Sequence, residues 1–194
     1  DSGGYFTLYG GDGEDAYYQN VGSADGIEFY GEDGDDTLLN FANEVGQIAF
    51  DGGAGNDILQ NTGNDIYSIQ FTSGGGRNTL QNFGNRIGSL TLINEDTSPN
   101  SSDTLLNSGS TIGQIFVEST LPLTLISSGN SVTEIQVMGS VFNDVVQVTG
   151  SNIALLIFNA NFGDDTLLLD INSAVGSAVA FNGSHAVGRR MCFR

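Results

Sequence analysis

The chain has 194 residues, 23 acids against five basic residues, and a formal net charge of −18. That balance excludes nucleic acid as a partner, whose binding rests on cationic contacts to phosphate. It favours divalent cations, or salt that screens the charge. Twenty-eight glycines without a Gly-X-Y period exclude collagen. One cysteine, Cys192, excludes an internal disulfide framework. No apolar run reaches transmembrane length, so membrane insertion is not expected.

Taken in order, residues 1–9 place apolar Tyr5, Phe6 and Leu8 in a strand-like stretch that reads as the closing strand of a coil. From Gly10 a unit of 21 residues repeats, over 10–30, 31–51, 52–72 and 73–93. Its marker is an aspartate before a short apolar run: Asp15, Asp36, Asp57, then Asn78. Residues 94–102 are a polar, turn-rich insertion expected on the surface. The marker returns at Asp103, is lost at Thr124, and resumes at Asp144 and Asp165. The later units read 94–118, 119–138, 139–159 and 160–182. The tail, 183–194, leaves the pattern and carries Arg189, Arg190 and Arg194.

Other columns repeat with the marker. Two residues on lie Tyr17, Leu38, Leu59, Leu80, Leu105, Ile126, Val146 and Leu167. Four residues on lie Asn40, Asn61, Asn82 and Asn107, and seven on lie Asn43, Asn64 and Asn85. A second apolar group follows, as in Val45-Ile48-Phe50 and Ile66-Ile69-Phe71. Each unit thus holds two strand-length segments between Gly/Asn/Asp clusters, and none has the 3.6-residue period of a helix. Similar short strands at a fixed spacing stack best in parallel, one coil above the last. The fold predicted is all-β: a single parallel β-solenoid (β-helix) over 1–194, with about eight coils of about 21 residues. Gly46, Gly88, Gly113 and Gly176 are expected to mark an extra corner. The leucine column and Phe29, Phe50 and Phe71 are expected to point inward, and the asparagines to form ladders between coils.

The turn before the marker carries the candidate chemistry. Gly52-Gly53-Ala54-Gly55-Asn56-Asp57-Ile58-Leu59-Gln60 fits G-G-x-G-x-D-x-U-x. Gly10 to Tyr18 fits if Tyr17 serves as the large apolar residue, and Gly31 to Leu39 lacks only the second glycine. These turns resemble the calcium-binding nonapeptide of the RTX (haemolysin-type) proteins, and Asn161 to Leu167 resembles it in part. The resemblance implies calcium between stacked turns, held by aspartates and main-chain carbonyls. On this sequence the implied ligands are Asp12, Asp15, Asp33, Asp36 and Asp57, with Asp164 and Asp165 as a second group. The chain departs from the family in one respect: an asparagine-rich turn intervenes between its nonapeptides.

Electrostatics raises the same question independently. Stacking brings Asp15, Asp36 and Asp57 within one strand spacing of each other, where like charges repel. Calcium can bridge them, backbone N–H groups can donate to them, or some can be protonated. Asn78 is compatible with all three.

No residue set points to catalysis. His185 is the single histidine and lies in the tail. Paired carboxylates permit a polysaccharide-acting enzyme by residue type, yet these acids sit in repeated turns and lack singular placement. The threonines Thr37, Thr79, Thr104 and Thr166 form only a broken column, short of the flat array an ice-binding face needs. A solenoid ends in open strand edges, and acid turns at the start face arginines at the finish. The expectation is an extracellular or cell-surface structural protein that self-associates head to tail. The competing expectations are a calcium-dependent adhesion or secretion module of a larger protein, in contact with a cell surface or polysaccharide, and an enzyme of the β-helix kind.

Overall fold

Glycine, asparagine and aspartate clusters interrupt every apolar stretch of this chain, so strands stay short and the backbone turns twice per repeat. The computed structural model describes residues 3–20, 22–98, 100–150, 152–169, 175–183 and 190–193, and no helix occurs among them. One sheet contains β1 (Tyr5–Tyr9), β3 (Gly26–Tyr30), β5 (Gln47–Asp51), β7 (Ile66–Thr72), β9 (Ile87–Asn94), β11 (Ile112–Ser119), β13 (Val132–Met138), β15 (Ile153–Asn161) and β17 (Val175–Gly183). The other contains β2 (Ala16–Gln19), β4 (Thr37–Asn40), β6 (Ile58–Asn61), β8 (Arg77–Asn82), β10 (Ser102–Asn107), β12 (Leu123–Ser127), β14 (Val145–Val148), β16 (Thr166–Leu169) and β18 (Arg190–Phe193). Every strand pairs in parallel with the strand two places away in sequence. The molecule is the expected β-solenoid, of about 8 turns with ~21 residues per turn. At a strand spacing of about 4.8 Å it is roughly 40 Å long.

The repeat columns explain the core. Leu38, Leu59, Leu80, Leu105, Val146 and Leu167 line one inner face, each fully buried. Ile48, Ile69, Leu90, Ile115, Ile135 and Leu156 line the other. Phe29, Phe50 and Phe71 stack face to face, with ring centroids 5.1 and 4.9 Å apart. Burial of each such side chain is worth about 1.5–3 kcal/mol. A chain whose strands pair only with the next coil gains this only when successive coils lie in register.

Three sequence expectations change. The marker in the sixth unit is Leu123 rather than Thr124, because that coil is shorter: Asp103 pairs with Leu123, 20 residues on. Leu125 therefore points inward, fully buried, and Ile126 is half-exposed. The insertion 94–102 is not all surface, since Asn94 and Ser101 are buried at its ends. The tail rejoins the solenoid as β18, with Met191 opposite Leu167 and Phe193 opposite Leu169. Gly88 and Gly113 each sit with their successor between two inward residues of one strand, and Tyr67, Thr133 and Ala154 hold the same place in other coils, so this spacing does not depend on glycine. Gly176 falls in β17, beside a shift of register against β15.

The turn before the marker requires left-handed backbone. Gly11, Gly53 and Gly74 occupy one position of it at φ 91°, 80° and 72°. In the second coil that position is Glu32, at φ 77°. A side chain in this region costs roughly 1–2 kcal/mol, a cost glycine escapes. Glu32→Gly should therefore stabilise the protein by about 1 kcal/mol, read as a higher midpoint in urea unfolding; an unchanged or lower midpoint would contradict the assignment.

Candidate functional site

The register that aligns the leucines also stacks the aspartates. The backbone N–H of Asp15 donates to Asp36 Oδ1 at 2.8 Å, and that of Asp36 to Asp57 Oδ1 at 2.9 Å. The N–H of Asp57 donates to Asn78 Oδ1 at 2.9 Å. The same link recurs from Leu123 to Asp144 and from Asp144 to Asp165. Each carboxylate thus reaches back one coil and ties it to its own. Of the ways to accommodate stacked acids, backbone donation is the one drawn in these hydrogen bonds.

Oδ1 is satisfied, but Oδ2 differs among coils. Asp36 and Asp57 are fully buried, and their Oδ2 atoms accept no hydrogen bond. Each Oδ2 lies against a glycine: a Cβ on Gly31 or Gly52 would stand 2.3 or 2.4 Å from it. In Asp144 the corresponding oxygen accepts the N–H of Ser140 at 2.7 Å and also its hydroxyl. Asp103, beside the insertion, accepts from Ser73, Asn94 and Ser119. Loss of water pushes the Asp57 carboxyl up to about 7, assisted by Asp36, Asp35 and Asp51 and opposed by the backbone hydrogen bond. Burial likewise raises Asp36 and Asp103, and it lifts Asp144 to about 6.

The seven expected calcium ligands fall into two rows. Asp36, Asp57 and Asp165 are buried in the column, with Asp15 half-buried at its start. Asp12, Asp33 and Asp164 are exposed on the outer rim of the turn. Among the described residues no three His, Cys, Asp or Glu side chains converge in a group that could hold a metal. Calcium takes six to eight oxygens; in the column the buried Oδ2 atoms of Asp36 and Asp57 accept no hydrogen bond from the protein.

Two asparagine ladders run parallel to the acids. Inside, Asn40 Nδ2 donates to Asn61 Oδ1, Asn61 to Asn82 and Asn82 to Asn107, at 2.7–2.9 Å. Each Nδ2 also donates to a main-chain carbonyl two residues on. Outside, Asn43 Oδ1 accepts the N–H of Asn64, and Asn64 Oδ1 that of Asn85. Asp35 and Asn56 form a third row toward Arg77. Arg86 forks onto Asp65 of the previous coil. The Ser140 clasp on Asp144 and the cluster on Asp103 escape sequence reasoning. Their only signal is a serine at an irregular place in the repeat. His185, Arg189 and Arg194 lie outside the described residues.

Among known proteins, no family model matches this chain, and neither a curated protein nor a solved structure does. The arrangement therefore has to be read from its own chemistry.

Asn61 sits in the middle of the inner ladder, fully buried. Asn61→Leu would remove partners from both Asn40 and Asn82, and a buried polar group left unpaired costs about 1–3 kcal/mol. The expected loss in urea unfolding is about 2 kcal/mol. Asn64→Ala on the exposed ladder should change stability by less than about 0.5 kcal/mol. Equal effects from the two would refute the distinction.

Proposed function

We propose that this protein is a non-enzymatic structural rod of the extracellular or cell-surface kind, a solenoid subunit that extends by stacking end to end. One observation carries this reading: the repeated polar side chains are committed to neighbouring coils. The aspartate column, both asparagine ladders and the Arg86–Asp65 pair each join one coil to the next. The acids Asp15, Asp36, Asp57, Asp103, Asp144 and Asp165 recur at one position of the repeat, without the singular placement of an active site.

The first coil favours growth. β1 and β2 leave their outer edges unpaired within the described chain. Tyr5, Phe6, Tyr9 and Tyr18 are exposed there, and Leu8 is half-buried above Phe29. An edge of this kind is a template for another parallel strand. At the far end β17 and β18 present the matching edges, with Val179 exposed. A second copy can therefore continue both sheets, and such a head-to-tail contact propagates instead of closing. The strong net charge keeps rods apart sideways.

Electron microscopy of the purified protein tests this. Long unbranched fibres one solenoid wide are expected, and Leu8→Lys should shorten them to single rods while the β-sheet circular dichroism is kept. Monomeric rods of wild-type protein at every concentration would overturn the assembly reading, and would fit a segment capped by further chain.

A further inference from the structure

We infer that the outer face of the sheet running from β4 to β16 is an ice-binding surface, on which a rank of threonines and other β-branched residues orders water at the spacing of the strands. The inference holds for a single rod and does not depend on end-to-end assembly.

Counting by 21 leaves the threonine column broken, but register repairs it. The short sixth coil sets Thr124 beside Thr104, and Thr104 also pairs with Thr79. Ile58 joins Thr37 to Thr79, and Val145 joins Thr124 to Thr166. Seven successive strands thus hold a β-branched residue at one outward place, and five of the seven are threonine. All seven reach the surface, each beside a buried residue of the core. No shift of register interrupts them, as one does between β15 and β17 of the other sheet. At about 4.8 Å per strand the rank runs roughly 29 Å. β-Branched side chains are stiff at χ1, so its methyls and hydroxyls are held in place.

The hydroxyls are left to water. Thr7, Thr62 and Thr120 give theirs to protein acceptors. Among the described residues, none of the five threonines of the rank has such a partner.

Charge points the same way. In a chain of net charge −18, neither this rank nor the one beside it holds a charged residue from β4 to β16. The second rank is leucine, isoleucine or glutamine throughout, from Leu39 to Leu168. Asp35, Arg77 and Asp164 stand at the border, two places before the threonine position. The other sheet carries Glu28, Asp51, Glu118 and Glu134 on its outer side.

An ion keeps its own hydration shell and disturbs an ice lattice, whereas a neutral face does not. Threonine hydroxyls both donate to and accept from lattice waters. Methyl groups restrict the water above them, and the strand spacing lies close to a repeat of ice. A polysaccharide would call for aromatic platforms. The two ranks contain none, and the exposed Phe41 and Phe83 lie past the strand ends. A second copy laid alongside would meet the repulsion of the remaining acids. Rods fixed to ice leave growth to bulge between them, and the curvature lowers the freezing point there.

The test grows a single ice crystal in purified protein at neutral pH and follows its shape, its growth and the protein recovered from it. Wild-type protein should facet the crystal, hold its growth below the melting point and enter the ice. Thr104→Lys, at the centre of the rank, should lose all three and keep the β-sheet circular dichroism. Thr91→Lys, outward on the other sheet, should keep them. Where Thr104→Lys does not fold, Gln81→Lys on the second rank takes its place. Leu8→Lys rods should bind ice as wild-type protein does, so that failure to assemble and failure to bind ice are read apart. A crystal that grows round with wild-type protein excluded rejects the inference, as does full activity in Thr104→Lys. Side-by-side pairing of rods that Thr104→Lys abolishes, without ice activity, also rejects it and makes the face a contact between copies.

Discussion

Register between coils is the constraint on which everything else depends. Parallel pairing sets each residue over its counterpart a coil away, so one choice of side chain is repeated along the rod. For leucine and phenylalanine the repetition is favourable, because like shapes pack on like. For asparagine it is favourable because one side chain carries both donor and acceptor. For aspartate it is a problem, because like charges meet at the same spacing. The molecule meets the problem with backbone N–H groups at Oδ1 and leaves Oδ2 to local solutions. Serine serves at Asp144, a polar cluster at Asp103, and an amide in place of the acid at Asn78.

The architecture was legible because two periods agreed. Strand-length apolar segments recurred with turn residues between them, and the recurrence was fixed at 21 residues over Asp15, Asp36 and Asp57. Where the period slipped, the reading slipped with it. Counting 21 from Asp103 lands on Thr124, where the marker was read as lost, but the turn at Pro122 has one residue fewer and the position is Leu123. Inwardness follows register, not count, so Leu125 and Ile126 exchanged roles. The tail looked foreign because an unmatched stretch precedes it, yet Arg190–Phe193 falls back onto β16.

The candidate site was legible in position and not in chemistry. Asp36 and Asp57 belong to one column, as their spacing implied. A motif that resembles a calcium turn does not state which oxygens remain free, since that depends on how N–H groups of the adjoining coil are aimed. The glycines at Gly31 and Gly52 make room for the carboxylates themselves, which the pattern of letters does not reveal. Nor could the letters show that Asp12 and Asp33 face outward while Asp36 faces in.

The inner asparagine ladder has a direction. Every Nδ2 hands its hydrogen toward the C-terminal end, from Asn40 through Asn107, and leaves Asn40 Oδ1 as a bare acceptor at the beginning. The rod is therefore a vector with two unlike faces. Polarity is thus written into the column of amides, which begins one coil inside the rod, where Gln19 pairs with Asn40.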